Sequence, residues 1–413
     1  MPGGCTAIDM MKPHRFRPIN SSERNSFSAD FARSLDEASS GLNSLLNAGG
    51  LSDLGLSDED QKHLKGIASL TKYTLPRDTM IVGSAVAETG RPPSDIVFVE
   101  YGGGVGLHSL LARSLGVRTV IYNDLLPSMC RAAKAIAGAL HLEADYYVQG
   151  DIDELVNFCD RYGFKADAMT SNDVLEHIYD IDDFCMKLHL VSHEGTIMMH
   201  ATGANMLYYP AVRRLPRHQR VFEEGYAKDR ERIIREHSPK LRDDEAEALA
   251  IGTRGLRKDD IVKAVDRYQQ SRQLPVAIQH PTNTCNPETG WWQEHMMNPY
   301  YIAETLQANG FRAQAVPGFW DTLASAVPIK RMLNLVIAKS SPRRGLHLCS
   351  YLVIYARYTG SFSKEGHKQH KYLCRRSPLW YPVMLAYEPL SLLLPSVRRT
   401  RDMDLPQMPG KAH

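Results

Sequence analysis

The sequence predicts an α/β fold built on a doubly wound parallel sheet. Two observations carry this prediction. Short apolar runs alternate with helical segments five times between residues 95 and 201, the order expected of βα units joined by right-handed crossovers. The same alternation resumes at residue 298, after a long charged stretch.

The elements follow one another at short intervals. A helix is predicted from Ser57 to Leu70, where Ser57 precedes three acidic residues and is a good N-cap. Strands are predicted to end at 100, 123, 149, 171 and 201, with helices over 107–115, from 127, over 152–162 and over 182–191. After the charged stretch, a helix is predicted over 299–309, a strand over 311–316, a helix over 329–338 and a strand over 348–358.

These elements divide the chain into four regions. Residues 1–55 are rich in Ser, Gly, Asn and Arg and are expected to be loosely ordered. Residues 56–202 and 298–358 form the predicted core, and 359–413 are a C-terminal extension. Residues 203–297 are a predicted helical insertion after strand five, placed to lie over the acceptor site as a lid.

A glycine-rich turn follows the first strand. Gly102, Gly104 and Gly106 permit a tight turn and leave no side chain between the backbone and a ligand. Asp124 ends the second strand, where an acid accepts hydrogen bonds from a ribose. These residues alone suit a nicotinamide or flavin cofactor as well as other nucleosides, although the third glycine of G-x-G-x-x-G is missing.

Glu100, two residues before the first glycine, distinguishes between the cofactors that the glycine turn could bind. With it, the segment resembles the E/D-x-G-x-G-x-G signature of class I S-adenosylmethionine (SAM)-dependent methyltransferases. The resemblance implies a Rossmann-like, seven-stranded sheet whose last strand is antiparallel, and SAM as cofactor. It also implies that Glu100 helps hold the ammonium group of SAM, that Asp124 binds its ribose and that Leu125 touches its adenine.

Two further segments extend the resemblance. The turn after strand three, Gln149-Gly150-Asp151, resembles the acidic turn of the family, so Asp151 would accept the adenine amine while Ile152 packs on the ring. Asp151 is also a good helix N-cap, and both roles can hold at once. Asn172 and Asp173 follow strand four within N-D-V-L-E-H, which resembles D-V-L-E-H segments of small-molecule and quinone methyltransferases. They are predicted to bind the cofactor as well.

Methyl transfer to oxygen or nitrogen often requires a general base, and histidine is the usual choice. His177 is the first candidate and His200, at the end of strand five, is the second, with Glu176 as a further catalytic candidate. A structural role for His177 is the alternative. Asp173, Glu176 and His177 also resemble the E-x-x-E-H metal ligands of certain quinone and small-RNA methyltransferases. That would require a distal histidine, His218 or His237. We predict no metal.

Acceptor recognition is expected in the insertion. An arginine cluster there could bind a phosphate or carboxylate, or could be a solvated helix face; it consists of Arg213, Arg214, Arg217 and Arg220. Trp291 and Trp292 could form a platform for a sugar or planar ring, or could anchor the insertion to the core. The predicted acceptor is a small-molecule or glycan-like compound, methylated at oxygen.

Composition limits the binding partners and the cellular location that the sequence predicts. The formal net charge of +2 gives no basic surplus for nucleic acid, and the seven cysteines form no C-x-x-C pair. The predicted location is therefore cytoplasmic. Residues 379–395 are apolar and flanked by arginines, so they could contact a membrane surface. A nicotinamide-linked oxidoreductase and a SAM-binding module without catalysis are the alternative functions.

Overall fold

The computed structural model describes residues 29–47, 58–318 and 328–360 of the chain. Seven strands form one sheet in the order β3-β2-β1-β4-β5-β7-β6. They are β1 (Val97–Tyr101), β2 (Thr119–Asp124), β3 (Tyr146–Gln149), β4 (Ala166–Asn172), β5 (Ser192–Thr202), β6 (Phe311–Pro317) and β7 (Leu352–Tyr358). The first five strands are parallel, and β7 lies antiparallel between β5 and β6. This topology confirms the predicted fold class, including the antiparallel last strand.

Helices cover both faces of the sheet because its strands are apolar on both sides. In β1, Phe98 packs into one buried cluster while Val97 and Val99 pack into another. The helices of the core are α1 (Ala29–Asn47), α2 (Asp58–Glu88), α3 (Leu107–Ser114), α4 (Pro127–Ala139), α5 (Ile152–Tyr162), α6 (Ile181–Lys187), α10 (Pro299–Ala308), α11 (Pro328–Lys339) and α12 (Pro342–Leu348). Every parallel strand therefore ends at the same edge of the sheet, where ligands bind in open α/β folds.

The N-terminal region differs from its prediction. Helix α1 buries Leu35, Leu42 and Leu46 against the core, so the expectation of a loosely ordered segment is wrong over 29–47. Its polar composition hid three leucines spaced at seven and four residues, which lie on one face of a helix. Helix α2 runs on to Glu88 rather than ending near Leu70, with Pro76 inside it.

The insertion after β5 forms a helical unit. It contains α7 (Tyr209–His237), α8 (Asp243–Gly252) and α9 (Lys258–Ser271), followed by an irregular segment that returns to the core at Asn298. Its helices share a small core of their own, which includes Ile234, Leu249 and Val265. Strand β5 ends at Thr202 and α10 begins at Pro299, on either side of this unit.

Two findings bear on membranes. No helix in the part of the chain that the structure describes is long and apolar enough to span a bilayer. The segment 379–395, for which a membrane contact is predicted, lies outside the described residues, as does nearly all of the C-terminal extension.

Candidate active site

The glycine turn adopts the conformation that its sequence requires. Gly102, Gly104 and Gly106 have φ of +62°, +54° and +82°, values that favour glycine. A Cβ at residue 102 would lie 2.7 Å from the Val174 side chain, whereas one at residue 104 would meet nothing within 4 Å. The turn is therefore packed on one side and open on the other, where a ligand can approach its backbone.

Gly103, which the motif leaves unspecified, is also sterically required. A Cβ there would lie 2.5 Å from the Tyr122 ring and 2.8 Å from the Glu100 carboxyl carbon. The Tyr122 hydroxyl donates to the Gly104 carbonyl and fixes the turn from below. Sequence reasoning missed both residues because the packing comes from β2, the neighbouring strand.

Glu100 lies behind the glycine turn, as predicted, but its contacts are structural. Its carboxylate accepts hydrogen bonds from the backbone N–H groups of His108 (3.0 Å) and Ser109 (2.8 Å) and from the Ser109 hydroxyl. Burial raises the pKa of Glu100. The residue therefore holds the first turn of α3, whose free N–H groups attract a carboxylate. Its predicted contact with a cofactor ammonium group stays a prediction.

Asp124 faces the same turn from β2. Its carboxylate accepts from the backbone N–H groups of Gly104 and Leu126, both at 2.8 Å. Leu125 beside it is 42% exposed and presents an apolar surface next to the turn. Both residues lie beside the glycine turn, and their predicted contacts with a ribose and an adenine stay predictions.

In the turn after β3, Asp151 acts as a helix cap, which is one of the two roles considered for it. Asp151 accepts from the backbone N–H of Asp153 at 2.8 Å, and Glu154 completes a capping box. The Asp151 side chain remains on the surface, so a second contact to an adenine amine is sterically open. Ile152 is 5% exposed and belongs to the core cluster, so little of its surface is left for a ring.

An arginine from α2 joins the residues that follow β4. Arg77 donates from Nη1 to Asp173 at 3.2 Å and from Nε to Asp78 at 3.0 Å. Its guanidinium also lies over the Tyr351 ring, 5.1 Å from the centroid, and against Asn172. Asp173, which has φ of +54°, accepts from the Gly203 N–H as well. Arg77 is therefore the centre of a buried polar network at the edge of the site.

Sequence reasoning missed Arg77 for a clear reason. The predicted helix ended near Leu70, and no motif marks an arginine that follows Pro76. The network continues inward, where Asp78 lies 3.5 Å from the His108 ring and His108 contacts the Thr170 hydroxyl. The sequence signals this network only by the aspartate that follows the arginine, in a part of the helix that is otherwise mostly apolar.

His177 is oriented by a backbone carbonyl of the insertion. Its Nδ1 lies 2.8 Å from the backbone carbonyl of Trp292, and a carbonyl can only accept. Nδ1 therefore carries the proton in the neutral ring, and Nε2 is left as an acceptor, with no hydrogen-bond partner among the described residues. Burial lowers the pKa of His177, so the ring is neutral at physiological pH.

Carboxyl groups surround the same loop. Glu176 is buried, its Oε2 has no hydrogen-bond partner within the described chain, and burial raises its pKa well above the ordinary value. Asp173 and Glu294 lie near enough to raise it further. Burial likewise raises the pKa of Glu294, whose charge is in part balanced by Arg214 and His218.

His200 lies in the interior and not in the site. Its side chain is 1% exposed, its Nδ1 is 2.8 Å from the Ser171 hydroxyl, and its ring meets the Phe184 ring edge-on. Burial lowers its pKa to about 4. This placement argues against His200 as a base, since no acceptor can reach it. The sequence did not reveal this burial. It placed His200 at the end of a predicted strand, whereas the observed strand β5 continues to Thr202.

The returning segment of the insertion is attached to the loop after β4 by backbone hydrogen bonds. The N–H of Trp292 donates to the His177 carbonyl at 3.3 Å, and the N–H of His295 donates to the Glu176 carbonyl at 2.9 Å. On the other side, the Gln219 amide of α7 donates to the carbonyls of Gln293 and Glu294. The insertion is thereby connected directly to the candidate catalytic residues.

The two adjacent tryptophans differ in burial and in contacts. Trp292 is buried, donates from Nε1 to the Tyr179 carbonyl at 3.2 Å and stacks on the Tyr179 ring, so it anchors the insertion. Trp291 is half-buried and stacks on His177 with a centroid distance of 4.7 Å. It presents an aromatic surface beside the candidate base.

The arginine cluster lies on the solvent side of α7. All four of its members are exposed, and Arg213 lies over the Tyr209 ring at 5.8 Å. This arrangement favours the solvated-face alternative, with Arg214 as the member whose charge acts on Glu294.

The metal alternative finds no support in the described residues, where no group of three His, Cys, Asp or Glu side chains could hold an ion. His237 contacts Asp266 at 2.7 Å instead, and His218 is exposed on α7.

Comparison with known proteins identifies a methyltransferase domain in this chain. Residues 99–199 match the family model of a methyltransferase domain; the match runs from β1 into β5 and includes the glycine turn, Asp124 and His177. It confirms the resemblance to class I methyltransferases and counts against the nicotinamide-linked alternative. No curated protein matches the chain.

Solved structures share parts of the architecture at low similarity. SMU.776, a putative methyltransferase complexed with S-adenosylhomocysteine (SAH), is 12% identical over 32% of this chain and 37% of its own, with a TM-score of 0.27. A mutant of MtNAS in complex with SAM is 15% identical over 42% and 64%, with a TM-score of 0.28. A SAM-dependent methyltransferase from Mesorhizobium loti is 14% identical over 67% and 96%, with a TM-score of 0.34. This chain thus spans less than two thirds of the first two, and scores this low carry no functional argument.

Proposed function

We propose that this chain is a SAM-dependent methyltransferase that methylates a hydroxyl oxygen of a small-molecule or glycan-like acceptor, with His177 as general base. The observation that carries the proposal is the hydrogen bond between His177 Nδ1 and the Trp292 carbonyl. It orients a neutral imidazole whose remaining nitrogen can accept a proton.

The cofactor end of the site supports SAM. The open side of the glycine turn at Gly104, the buried carboxylate of Asp124 and the exposed Leu125 lie along the ends of β1 and β2. They suit, in that order, the amino-acid portion, the ribose and the adenine of a nucleoside cofactor.

The chemistry divides between cofactor and chain. SAM supplies an activated methyl group, so the chain has to orient the acceptor, exclude water and remove a proton. His177 removes the proton from the acceptor hydroxyl through Nε2 while Nδ1 stays bonded to the Trp292 carbonyl. Because the ring is held by a segment of the insertion, the base is in place only when the insertion is docked.

Polar and aromatic groups line the proposed acceptor position. Trp291 offers a ring face beside His177, as carbohydrate and planar-ring sites do. The unpartnered Oε2 of Glu176 is a buried polar atom that needs a partner, and we assign that partner to the acceptor or an ordered water.

The test combines binding with turnover. Calorimetric titration with SAH should give micromolar binding that is lost in Asp124→Ala and retained in His177→Gln. Transfer of labelled methyl from SAM to a panel of phenols, sugars and amines should then fall by about 100-fold or more in His177→Gln, the usual contribution of a general base.

Other results would contradict parts of the proposal. SAH binding without transfer to any acceptor indicates a SAM-binding module. Failure of the folded protein to bind SAH removes the methyltransferase proposal altogether. Equal rates for the wild type and His177→Gln remove only the base.

A further inference from the structure

Helix α11 exposes apolar side chains where a surface helix normally presents polar ones. Ile329, Met332, Leu333 and Val336 are exposed by 63%, 55%, 37% and 48%. They are spaced by three and four residues, so they form one stripe along the helix. Among the side chains of this helix that the structure describes, Asn334 and Ile337 are buried. The stripe is thus turned away from the core.

The next helix extends this surface. Leu348 of α12 is 46% exposed, and Lys339, Arg343 and Arg344 are exposed beside it. We call the apolar stripe with Leu348 and these three cations the α11–α12 patch. The sequence has no Asp or Glu between Asp321 and Glu365, whereas it has Lys or Arg at 330, 331, 339, 343, 344, 357 and 364. Within the described chain, the patch combines exposed apolar side chains with the exposed cations Lys339, Arg343 and Arg344.

We propose that the α11–α12 patch binds an anionic lipid surface. Apolar side chains on one face with Lys and Arg around them are the requirements for a helix that lies in a membrane interface, and each cation adds attraction to anionic headgroups. Exposed apolar patches of this kind mark interaction sites.

Charge decides between a lipid surface and the other possible occupants. A second copy of this chain would bring the same patch face to face in a two-fold contact, so that the cations of both copies would gather in one interface with no acidic side chain from the patch to balance them. The chain beyond residue 360 is a poor complement too, because Lys and Arg outnumber Asp and Glu in it. An anionic bilayer satisfies the apolar stripe and the cations together.

The patch lies at the active-site edge of the sheet. Leu352, which begins β7 just after α12, pairs both with Thr202 at the end of β5 and with Pro317 at the end of β6. Asn205, at the start of the insertion, donates to the carbonyls of Leu346 (2.8 Å) and Cys349 (3.1 Å). A protein docked through this patch would therefore hold the carboxyl edge of its sheet near the lipid surface.

The test is co-sedimentation of the full chain with vesicles. Wild-type protein should bind vesicles of phosphatidylcholine and phosphatidylglycerol, bind much less to phosphatidylcholine alone, and lose affinity as salt is raised. Arg343→Ala with Arg344→Ala should weaken binding on the order of 25-fold, about fivefold for each cation. Ile329→Glu with Met332→Glu should weaken it by about tenfold or more.

A matched control separates the patch from general surface effects. Val221→Glu with Ile251→Glu alters two apolar residues of the insertion that are 76% and 66% exposed, and it should bind vesicles as the wild type does. Absence of wild-type binding, equal binding to uncharged vesicles, or unchanged binding by Ile329→Glu with Met332→Glu would overturn the proposal. The last result would assign membrane contact to another segment, such as 379–395.

Discussion

The cofactor end and the acceptor end of the site are built differently. At the cofactor end, the glycine turn and Asp124 come from adjacent strands and are joined by bonds between near neighbours in sequence, such as Gly104 and Asp124. At the acceptor end, Arg77 reaches Asp173 and Trp292 reaches His177 from distant parts of the chain. The contacts of the cofactor end join adjacent strands, so a sequence motif marks them. The contacts of the acceptor end depend on tertiary packing, so no sequence motif marks them.

The largest effect should come from breaking the long-range network. Arg77→Met leaves the buried Asp78 without its cation and removes a partner of the more exposed Asp173, and the unpaired buried charge should lower the free energy of unfolding by about 3–5 kcal/mol. Urea denaturation measures it. Arg232→Met is the control: Arg232 binds Glu236 and Glu288 on the surface, and its loss should cost less than about 1 kcal/mol. Equal losses would show that the Arg77 network adds nothing beyond a surface ion pair.

The tryptophan pair tests the same contrast within one dipeptide. Trp292→Ala removes a buried anchor and should cost about 3–5 kcal/mol, seen as early unfolding of the insertion in hydrogen exchange. Trp291→Ala removes only the partly exposed ring that stacks on His177, so stability should change little while the KM for the acceptor rises. A reversed order of stability losses would exchange the two roles.

Acid should weaken the fold through His200. Its pKa is lowered to about 4 in the folded protein, against about 6.5 in an unfolded chain, so the unfolded state binds more protons between these values. Stability is complete above pH 6.5 and falls toward pH 4 by on the order of 3 kcal/mol from this residue. His200→Gln should flatten part of that fall in urea titrations at both pH values. A profile identical to the wild type would show that His200 does not titrate in this way.

The glycine turn should show the smallest difference. Gly102→Ala and Gly104→Ala both place a side chain at positive φ, but only residue 102 also meets Val174. Gly102→Ala should therefore be less stable than Gly104→Ala by about 1–3 kcal/mol, the cost of overpacking. Paired thermal unfolding measures the difference, and equal stability would mean that Val174 moves aside freely.

This contrast also explains what the sequence could predict. The order of strands and the position of the insertion followed from alternating apolar runs, and Asp124, Leu125 and the glycines followed from a motif. Helix α1 was missed because composition outweighed the spacing of Leu35, Leu42 and Leu46. His200 was assigned to the site because a strand end predicts position along the chain but not the direction of a side chain within the core.

The acceptor end shows what a linear motif leaves out. His177 was selected for its position after β4, yet its suitability as a base depends on the Trp292 carbonyl, 115 positions away in the chain. Tertiary packing created that contact, since nothing near His177 in sequence predicts its partner. Arg77 was missed for the same reason, because its partners are Asp173 and the Tyr351 ring.

The placement of β7 has a consequence for synthesis on the ribosome. Thr202 of β5 pairs with Leu352 of β7, so β5 keeps an unpaired edge while the whole insertion, α10 and β6 are being made. During that interval the insertion can assemble its own core around Ile234 and Leu249, but the sheet remains open beside it. An open strand edge is the form of backbone that most readily pairs with another chain. A nascent chain that stalls after Thr202 and before residue 352 therefore exposes this edge to aggregation.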